Sequence, residues 1–293
     1  MGRKVAQKGA SGTLEAGSRR LRSSLKTSIA RGVAAALRLL PEDVRLAVKT
    51  STIPVTRLDY EGADIVLAVD SAVDFMRAAA CRKEPGTVRW IESSVRAGDV
   101  FYDIGANVGA YSMVAASQAP PHVVVHAFEP SFSTYHQLCN NVILNGLERS
   151  VFPHLIAIGA AKGVSTLNYQ SLVAGTSLHT VGAKIDFRGK EFEPVYEQRV
   201  LVFGLDDLVF DWGFDMPNHV KIDVDGTELD VLRGARRVLA DDRLRTVLIE
   251  ICHDRGETRA IKDLLAASGL TLASEDVLQP TVTNCVFVRA TFS

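Results

Sequence analysis

Cysteine is scarce in this chain of 293 residues: Cys81, Cys139, Cys252 and Cys285 lie far apart and form no C-x-x-C pair. That spacing excludes a zinc knuckle and a disulfide framework as organising devices, and it leads us to expect a reducing, cytoplasmic setting. Long apolar runs are also missing. None approaches the ~18 residues of a spanning helix, and the N-terminus lacks a continuous apolar core with a cleavage site. The opening Met1-Gly2-Arg3-Lys4-Val5-Ala6 has no serine or threonine where a myristoylation signal needs one. Charge of one sign is lacking as well, since 33 Lys+Arg against 34 Asp+Glu leave a net −1, so a polyanion is not the obvious partner of the whole molecule. There is no internal repeat. What remains, 47% hydrophobic and 23% charged residues, suffices for one globular domain with a large core plus an extension.

The chain is organised around Gly98-Asp99-Val100-Phe101-Tyr102-Asp103-Ile104-Gly105-Ala106-Asn107-Val108-Gly109-Ala110-Tyr111-Ser112. An apolar, β-prone run containing Asp103 stops at small residues and is followed by a helix-compatible segment from Tyr111 to Ser117, which reads as strand, tight turn, helix. Such a turn lets a ligand approach the backbone, with free helix N–H groups facing it. The three-glycine pattern of a dinucleotide cradle is not met, because only Gly105 and Gly109 are present and Asp103 precedes them by two positions. A second apolar strand from Val123 ends in Phe128-Glu129-Pro130, with Glu129 about 20 residues beyond the glycine turn, where such folds hold a ribose by its hydroxyls. A ribose acid without a pyrophosphate cradle points to S-adenosyl-L-methionine. Glu129 is assigned to the ribose, Asp103 and Asn107 to the loop and the methionine end, and Gly105 and Gly109 to close approach.

Taken in order, residues 1–18 are small, polar and basic and are expected to be disordered. From Arg19 to Leu40, the residues Leu21, Leu25, Ile29, Val33, Leu37 and Leu40 draw one stripe on a basic amphipathic helix. It suits docking on the catalytic domain, a second subunit or an anionic membrane surface. Pro41-Glu42-Asp43 opens a second short helix. Residues 56–60 and 64–69 read as a hairpin, and 70–97 as two helical runs separated by Pro85-Gly86. Further strands are expected at 151–158, 200–203, 219–223 and 246–251, with helices at 135–147, 227–239 and 258–268, and a terminal antiparallel pair at 270–273 and 284–288. Strands alternating with helices argue for an α/β fold with a mostly parallel sheet covered on both faces. Residues 160–200 break that rhythm and read as an insertion over the site, where substrate contacts belong. The organisation expected is a basic extension over 1–50, a lead-in over 51–97 and the main domain over 98–293.

Asp103, Glu129, Asp223 and Glu250 all fall at predicted strand ends, where ligands of open parallel sheets bind. Candidates for a general base are Asp223, Glu250 and His253, with Asp223 first because it ends the fourth strand. Pairing with Lys221 is the structural alternative for Asp223. Asp223, Asp225 and Glu250 could instead gather a divalent cation, yet no histidine cluster or close acid pair demands one, so no metal is expected. Asp225 and Thr227 also fit as caps of the following helix.

The segments DIGANVGAYS, FEP, Asn140-Asn141-Val142-Ile143-Leu144-Asn145, and Lys221-Ile222-Asp223-Val224-Asp225-Gly226-Thr227-Glu228 onward to Gly234-Ala235 together resemble the FkbM family of S-adenosylmethionine-dependent O-methyltransferases, over roughly residues 85–290. Where that family often has glutamate, this chain has Asp225, which keeps the charge and shortens the reach. The resemblance implies a class I, Rossmann-like methyltransferase fold with a seven-stranded sheet, and a hydroxyl acceptor on a sugar, a glycan or a secondary metabolite. It places Arg77, Glu84 and Thr87 at the lead-in to the cofactor, and it adds Ala106, Tyr111, Pro130 and Asn141 to the cofactor contacts. An ion pair between Arg77 and Glu84 is the structural alternative there. Two rival readings are a non-catalytic S-adenosylmethionine-binding or assembly module, and a nucleic-acid methyltransferase. No N-P-P-[YF] segment and no aromatic platform beside the basic residues favours the latter, so no nucleic-acid partner is expected.

Overall fold

The computed structural model describes residues 28–51, 54–176 and 179–290, and the chain divides into two units, residues 1–53 and 54–293. The expected disorder of residues 1–18 and the first part of the helix expected over 19–40 lie outside the described residues. In the first unit, residues 28–38 form α1, whose side chains are exposed except for a half-buried Leu37, and Glu42–Ser51 form α2. Pro41 precedes α2, and Glu42 and Asp43 in its first turn face the partial positive charge of the helix start.

The second unit opens with β1 (Val55–Arg57) and β2 (Val66–Ala68), then α3 (Ala72–Arg77), α4 (Ala80–Lys83) and α5 (Pro85–Ser94). The main fold follows as β3 (Val100–Ile104), α6 (Ala110–Ala116), β4 (Val124–Phe128), α7 (Phe132–Leu144) and β5 (Val151–His154). Next come β6 (Ala157–Ile158), β7 (Gly163–Tyr169), β8 (Thr180–Val181) and β9 (Tyr196–Phe203). The chain closes with β10 (His219–Ile222), α8 (Glu228–Arg233), α9 (Arg236–Ala240), β11 (Thr246–Cys252), α10 (Thr258–Ala267), β12 (Leu270–Gln279) and β13 (Val282–Arg289). Seven strands make the main sheet in the order β12-β13-β11-β10-β3-β4-β5, and all run parallel except β13, which lies antiparallel between β11 and its hairpin partner β12. This is the class I methyltransferase arrangement.

The central strands are apolar on both faces because both are covered. Phe101, Val125 and Ala127 pack into one core with α5 and α6, while Tyr102, Ile104, Phe128, Val220 and Ile222 pack into the other with α8, α9 and α10. The period-2 alternation of the strands thus assigns each residue to a core. It also sends His219 and Lys221 of β10 to the face away from Val220 and Ile222. The β1–β2 hairpin is tied to α7: Asn141 Oδ1 accepts from Ala68 N (2.8 Å), and Asn145 Oδ1 accepts from Val66 N (2.9 Å). From Pro54 onward the lead-in therefore belongs to the same compact unit as the domain that follows.

Three elements depart from expectation. The third strand is not continuous over 151–158: β5 ends at His154 on the sheet edge, and β6 crosses to a second, four-stranded sheet in the order β6-β9-β7-β8. That second sheet lies in the insertion: β7, β8 and most of β9 fall within 160–200, where no strand was expected before 200. The helix expected over 227–239 breaks at Gly234 into α8 and α9. A side chain at Gly234 would stand 2.0 Å from Gly159 O and 3.0 Å from Gly204 Cα, and the Gly234 carbonyl accepts from Asp206 N (2.9 Å). Chain segments remote in sequence press on the helix there and take its carbonyl.

Candidate active site

A cavity of about 550 Å³ opens at the carboxyl ends of the parallel strands. That is within the usual ~300–1,000 Å³ of small-ligand pockets. Among the expected site residues, Glu84, Gly105, Ala106, Asn107, Tyr111, Glu129, Pro130, Asp223 and Glu250 line it. Thr87, Asp103, Gly109, Asn141 and His253 do not.

The glycine turn is set by backbone geometry. Gly105 has φ +79°, and a side chain there would meet Asp223 O at 1.9 Å, so the turn and the end of β10 touch through a glycine. Asn107 has φ +52°, the left-handed region that asparagine tolerates, and its Oδ1 accepts from Val108 N (2.9 Å). Asn141 Nδ2 donates to Val108 O (2.9 Å), so Asn141 braces the turn from behind while also holding β2. Gly109, with φ +86°, starts α6 against Leu138.

Glu129, just beyond β4, is 7% exposed and accepts from Asn107 N (3.0 Å) and Ser131 N (2.8 Å). Burial pushes its carboxyl up to about 7, against the two backbone N–H groups, which favour the charged form. The carboxylate is fixed in place at the cavity wall.

The centre of the site is a residue that the sequence reading treated only as a partner of Asp223. Lys221 is 2% exposed, with Nζ 3.0 Å from Asp223 Oδ2, 3.5 Å from Asp103 Oδ1 and 5.2 Å from the centroid of the Tyr111 ring. Burial alone would lower its pKa, but the carboxylates of Asp223 and Asp103 overcome this and hold it above the ordinary lysine range. Conversely, burial would raise Asp223, and Lys221 overcomes that and holds it below the ordinary range. Asp223 keeps 34% of its side chain accessible, toward the cavity it lines. The signal for Lys221 was a lysine inside a four-residue strand that is otherwise buried; such a charge persists only when paired. Asp103 lies behind the wall, fully buried, and accepts from Ser112 Oγ (2.6 Å).

Glu250 lines the cavity from within β11, and burial pushes it up to about 9, with Asp223, Glu84 and Asp225 adding to the rise. It is therefore neutral at pH 7. His253 stands apart, its ring nitrogens 3.0 Å from Thr258 Oγ1 and 3.0 Å from Thr283 Oγ1. At the lead-in, Glu84 Oε1 takes Lys83 Nζ (3.0 Å), and Glu84 Oε2 meets Thr87 Oγ1 (3.4 Å) and Asn284 Nδ2 (3.3 Å). Arg77 instead donates from Nε to Gly175 O (2.9 Å), bridging α3 to the insertion. Thr227 sits at the start of α8 without a side-chain cap bond, and Glu228 Oε1 accepts from Gly226 N (3.0 Å). Among the described residues, no group of three or more His, Cys, Asp or Glu side chains is placed to hold a metal ion.

The sheet order, the glycine turn and the two strand-end acids define a class I S-adenosylmethionine-dependent methyltransferase. The family model described as "Methyltransferase FkbM domain" matches residues 103–272, more than half of the chain, and the chain belongs to that family. It is 25% identical over 227 residues to the hexuronic acid methyltransferase AglP of Haloferax volcanii, covering 77% of this chain and 86% of that protein. It is 27% identical over 202 residues to the 31-O-demethyl-FK506 methyltransferase FkbM of Streptomyces tacrolimicus, covering 62% and 76% respectively. Among solved structures, the FkbM methyltransferase of Methylobacillus flagellatus KT aligns with a TM-score of 0.45 and 15% identity, over 75% of this chain and 55% of that one.

Proposed function

We propose that this protein transfers the methyl group of S-adenosylmethionine to a hydroxyl oxygen of a sugar, a glycan or a secondary metabolite. The observation that carries the reading is a single cavity lined at once by the Gly105–Asn107 turn, by Glu129 and by Asp223 paired with the buried Lys221. Two relatives are named for an acceptor, a hexuronic acid and 31-O-demethyl-FK506; the first supports a sugar acceptor, and the second supports O-methylation and a secondary metabolite.

The bound cofactor supplies a sulfonium-activated methyl group for in-line transfer. Glu129, held by two backbone N–H groups, is the residue that takes the ribose hydroxyls. The turn from Gly105 to Asn107 and the Tyr111 side chain offer the wall for the methionine end. Asp223 is charged and accessible, so it can accept the acceptor's hydroxyl proton on Oδ1 or Oδ2. Lys221 keeps it ionised and oriented. Glu250, neutral at pH 7, suits hydrogen-bond donation to the acceptor better than proton abstraction, and His253 outside the cavity has no such access.

Calorimetric titration with S-adenosylhomocysteine tests the cofactor assignment. Wild type is expected to bind saturably and Glu129→Ala to lose at least tenfold in affinity. Asp223→Asn is expected to keep that affinity while its turnover on a hydroxyl acceptor falls by about 100-fold or more. Absence of S-adenosylhomocysteine binding by wild type sinks the reading.

A further inference from the structure

His179 lines the cavity from the first residue before β8, and both of its ring nitrogens are buried without a hydrogen-bond partner. Folded proteins rarely leave buried polar atoms unpaired, because each costs about 1–3 kcal/mol. Two such atoms on one ring at a cavity wall are atoms waiting for a ligand. The ring is not loosely placed: it packs on Tyr169 with centroids 4.6 Å apart. Tyr169 is itself pinned. Its hydroxyl accepts from Phe132 N (3.1 Å) and donates to Gln198 Oε1, and Gln198 Nε2 donates to Pro130 O (3.2 Å). His179 and the turn that carries Glu129 are thereby parts of one braced assembly.

We propose that His179 hydrogen-bonds the nucleoside half of the bound methyl donor, so that the inserted sheet helps to recognise the cofactor. The inference rests on the reading under Proposed function, in which Glu129 takes the ribose. Burial lowers the imidazole to about 4, leaving it neutral, with one N–H donor and one lone pair. Such a group matches the uncharged hydroxyl, amino and ring-nitrogen atoms of adenosine. The methionine end, with its charged ammonium and carboxylate, lies in that reading at the Gly105–Asn107 turn and Tyr111. The Asp223–Lys221 pair, where an acceptor must lose its proton, belongs to β10 and not to the braced assembly that carries His179.

The test is calorimetric titration of wild type, His179→Phe and His179→Gln with two probes: S-adenosylhomocysteine, and 5′-methylthioadenosine, which keeps the nucleoside and lacks the amino acid. Phenylalanine keeps the ring packing on Tyr169 and removes both nitrogens. The expected result is about a tenfold loss for His179→Phe with both probes, and a smaller loss for His179→Gln, which retains a donor and an acceptor. The ligand-free melting temperature of His179→Phe is expected to equal or exceed that of wild type, since two unpaired polar atoms are gone. If His179→Phe melts early, His179→Gln decides, retained affinity supporting the proposal and an equal loss overturning it. Wild-type affinity in His179→Phe, or a loss confined to S-adenosylhomocysteine, overturns it while leaving the methyltransferase reading in place. A wild type that binds neither probe ends both.

Discussion

Glu129 combines two demands that pull in opposite directions. Only its charged form can accept from both ribose hydroxyls at once and do so strongly, yet its burial holds its pKa at about 7. Cofactor affinity should then follow its ionisation: as pH falls from 8 to 6, S-adenosylhomocysteine binding is expected to weaken roughly fivefold to tenfold, levelling above pH 8. His179, at about 4, stays neutral across that window and adds no slope. Calorimetry at pH 6, 7 and 8 checks this, and Glu129→Gln should bind weakly with no pH dependence in that range. Stability moves the other way. A carboxyl whose folded pKa is raised binds more protons when folded, so its contribution falls as pH rises from about 4.5 through about 7. Asp223 shows the opposite balance. Lys221 holds it ionised well below neutrality, so its charge is constant over the same pH range.

At the scale of elements, the insertion and the broken helix explain how the cavity is walled. Gly159 after β6, Gly204 after β9 and Gly234 after α8 converge, and a Cβ on Gly234 has no room. The φ of Gly234 is −83°, which any residue can adopt, so the demand is for space and not for an unusual backbone. Gly234→Ala is therefore expected to push β6 and Gly204 away and destabilise the fold by about 2 kcal/mol or more, read by urea denaturation. Local periodicity could not reveal this junction. The apolar spacing from Leu229 to Leu239 is equally good for one helix or two, and the break comes from carbonyl and backbone contacts more than 20 residues away in sequence. The same limit hid the division of β5 from β6, because Val151 to Ile158 is apolar enough for one strand. The central strands were legible because burial on both faces makes them continuous apolar runs ending in acids. The turn around Gly105 and the Glu129 rim were legible for the same reason, each closing a strand abruptly. His179 was not, since a single histidine in an irregular stretch carries no periodic signal, and only the packing on Tyr169 and the missing partners give it meaning.

The whole molecule separates a chemical end from a structural one. At the amino ends of the strands, Asp99 accepts from Arg245 Nη1 (2.7 Å) and lies 3.2 Å from His219 Nε2, while Trp90 Nε1 donates to Thr246 Oγ1 (3.0 Å). His219 Nδ1 sits 2.8 Å from the same Thr246 hydroxyl, so lead-in helix α5 is joined to three sheet segments through buried polar groups. The cavity at the other end takes its wall from residues as early as Val73 and as late as Val282. Two truncations follow from this division. A chain of residues 54–293 keeps the complete compact unit and every lining residue among those described, and is expected to bind S-adenosylhomocysteine with wild-type affinity. A chain of residues 98–293 loses Glu84 and Arg77 from the wall, the Trp90–Thr246 bond and the β2 edge held by Asn141. Stripping α5 uncovers Phe101, against which Trp90 packs with ring centroids 5.5 Å apart, so this shorter chain is expected to fail to fold cooperatively. Melting curves and calorimetry on the pair separate the outcomes. Cooperative melting and cofactor binding by 98–293 would make the lead-in an accessory, and loss of binding by 54–293 would give residues 1–53 a part in the cofactor site.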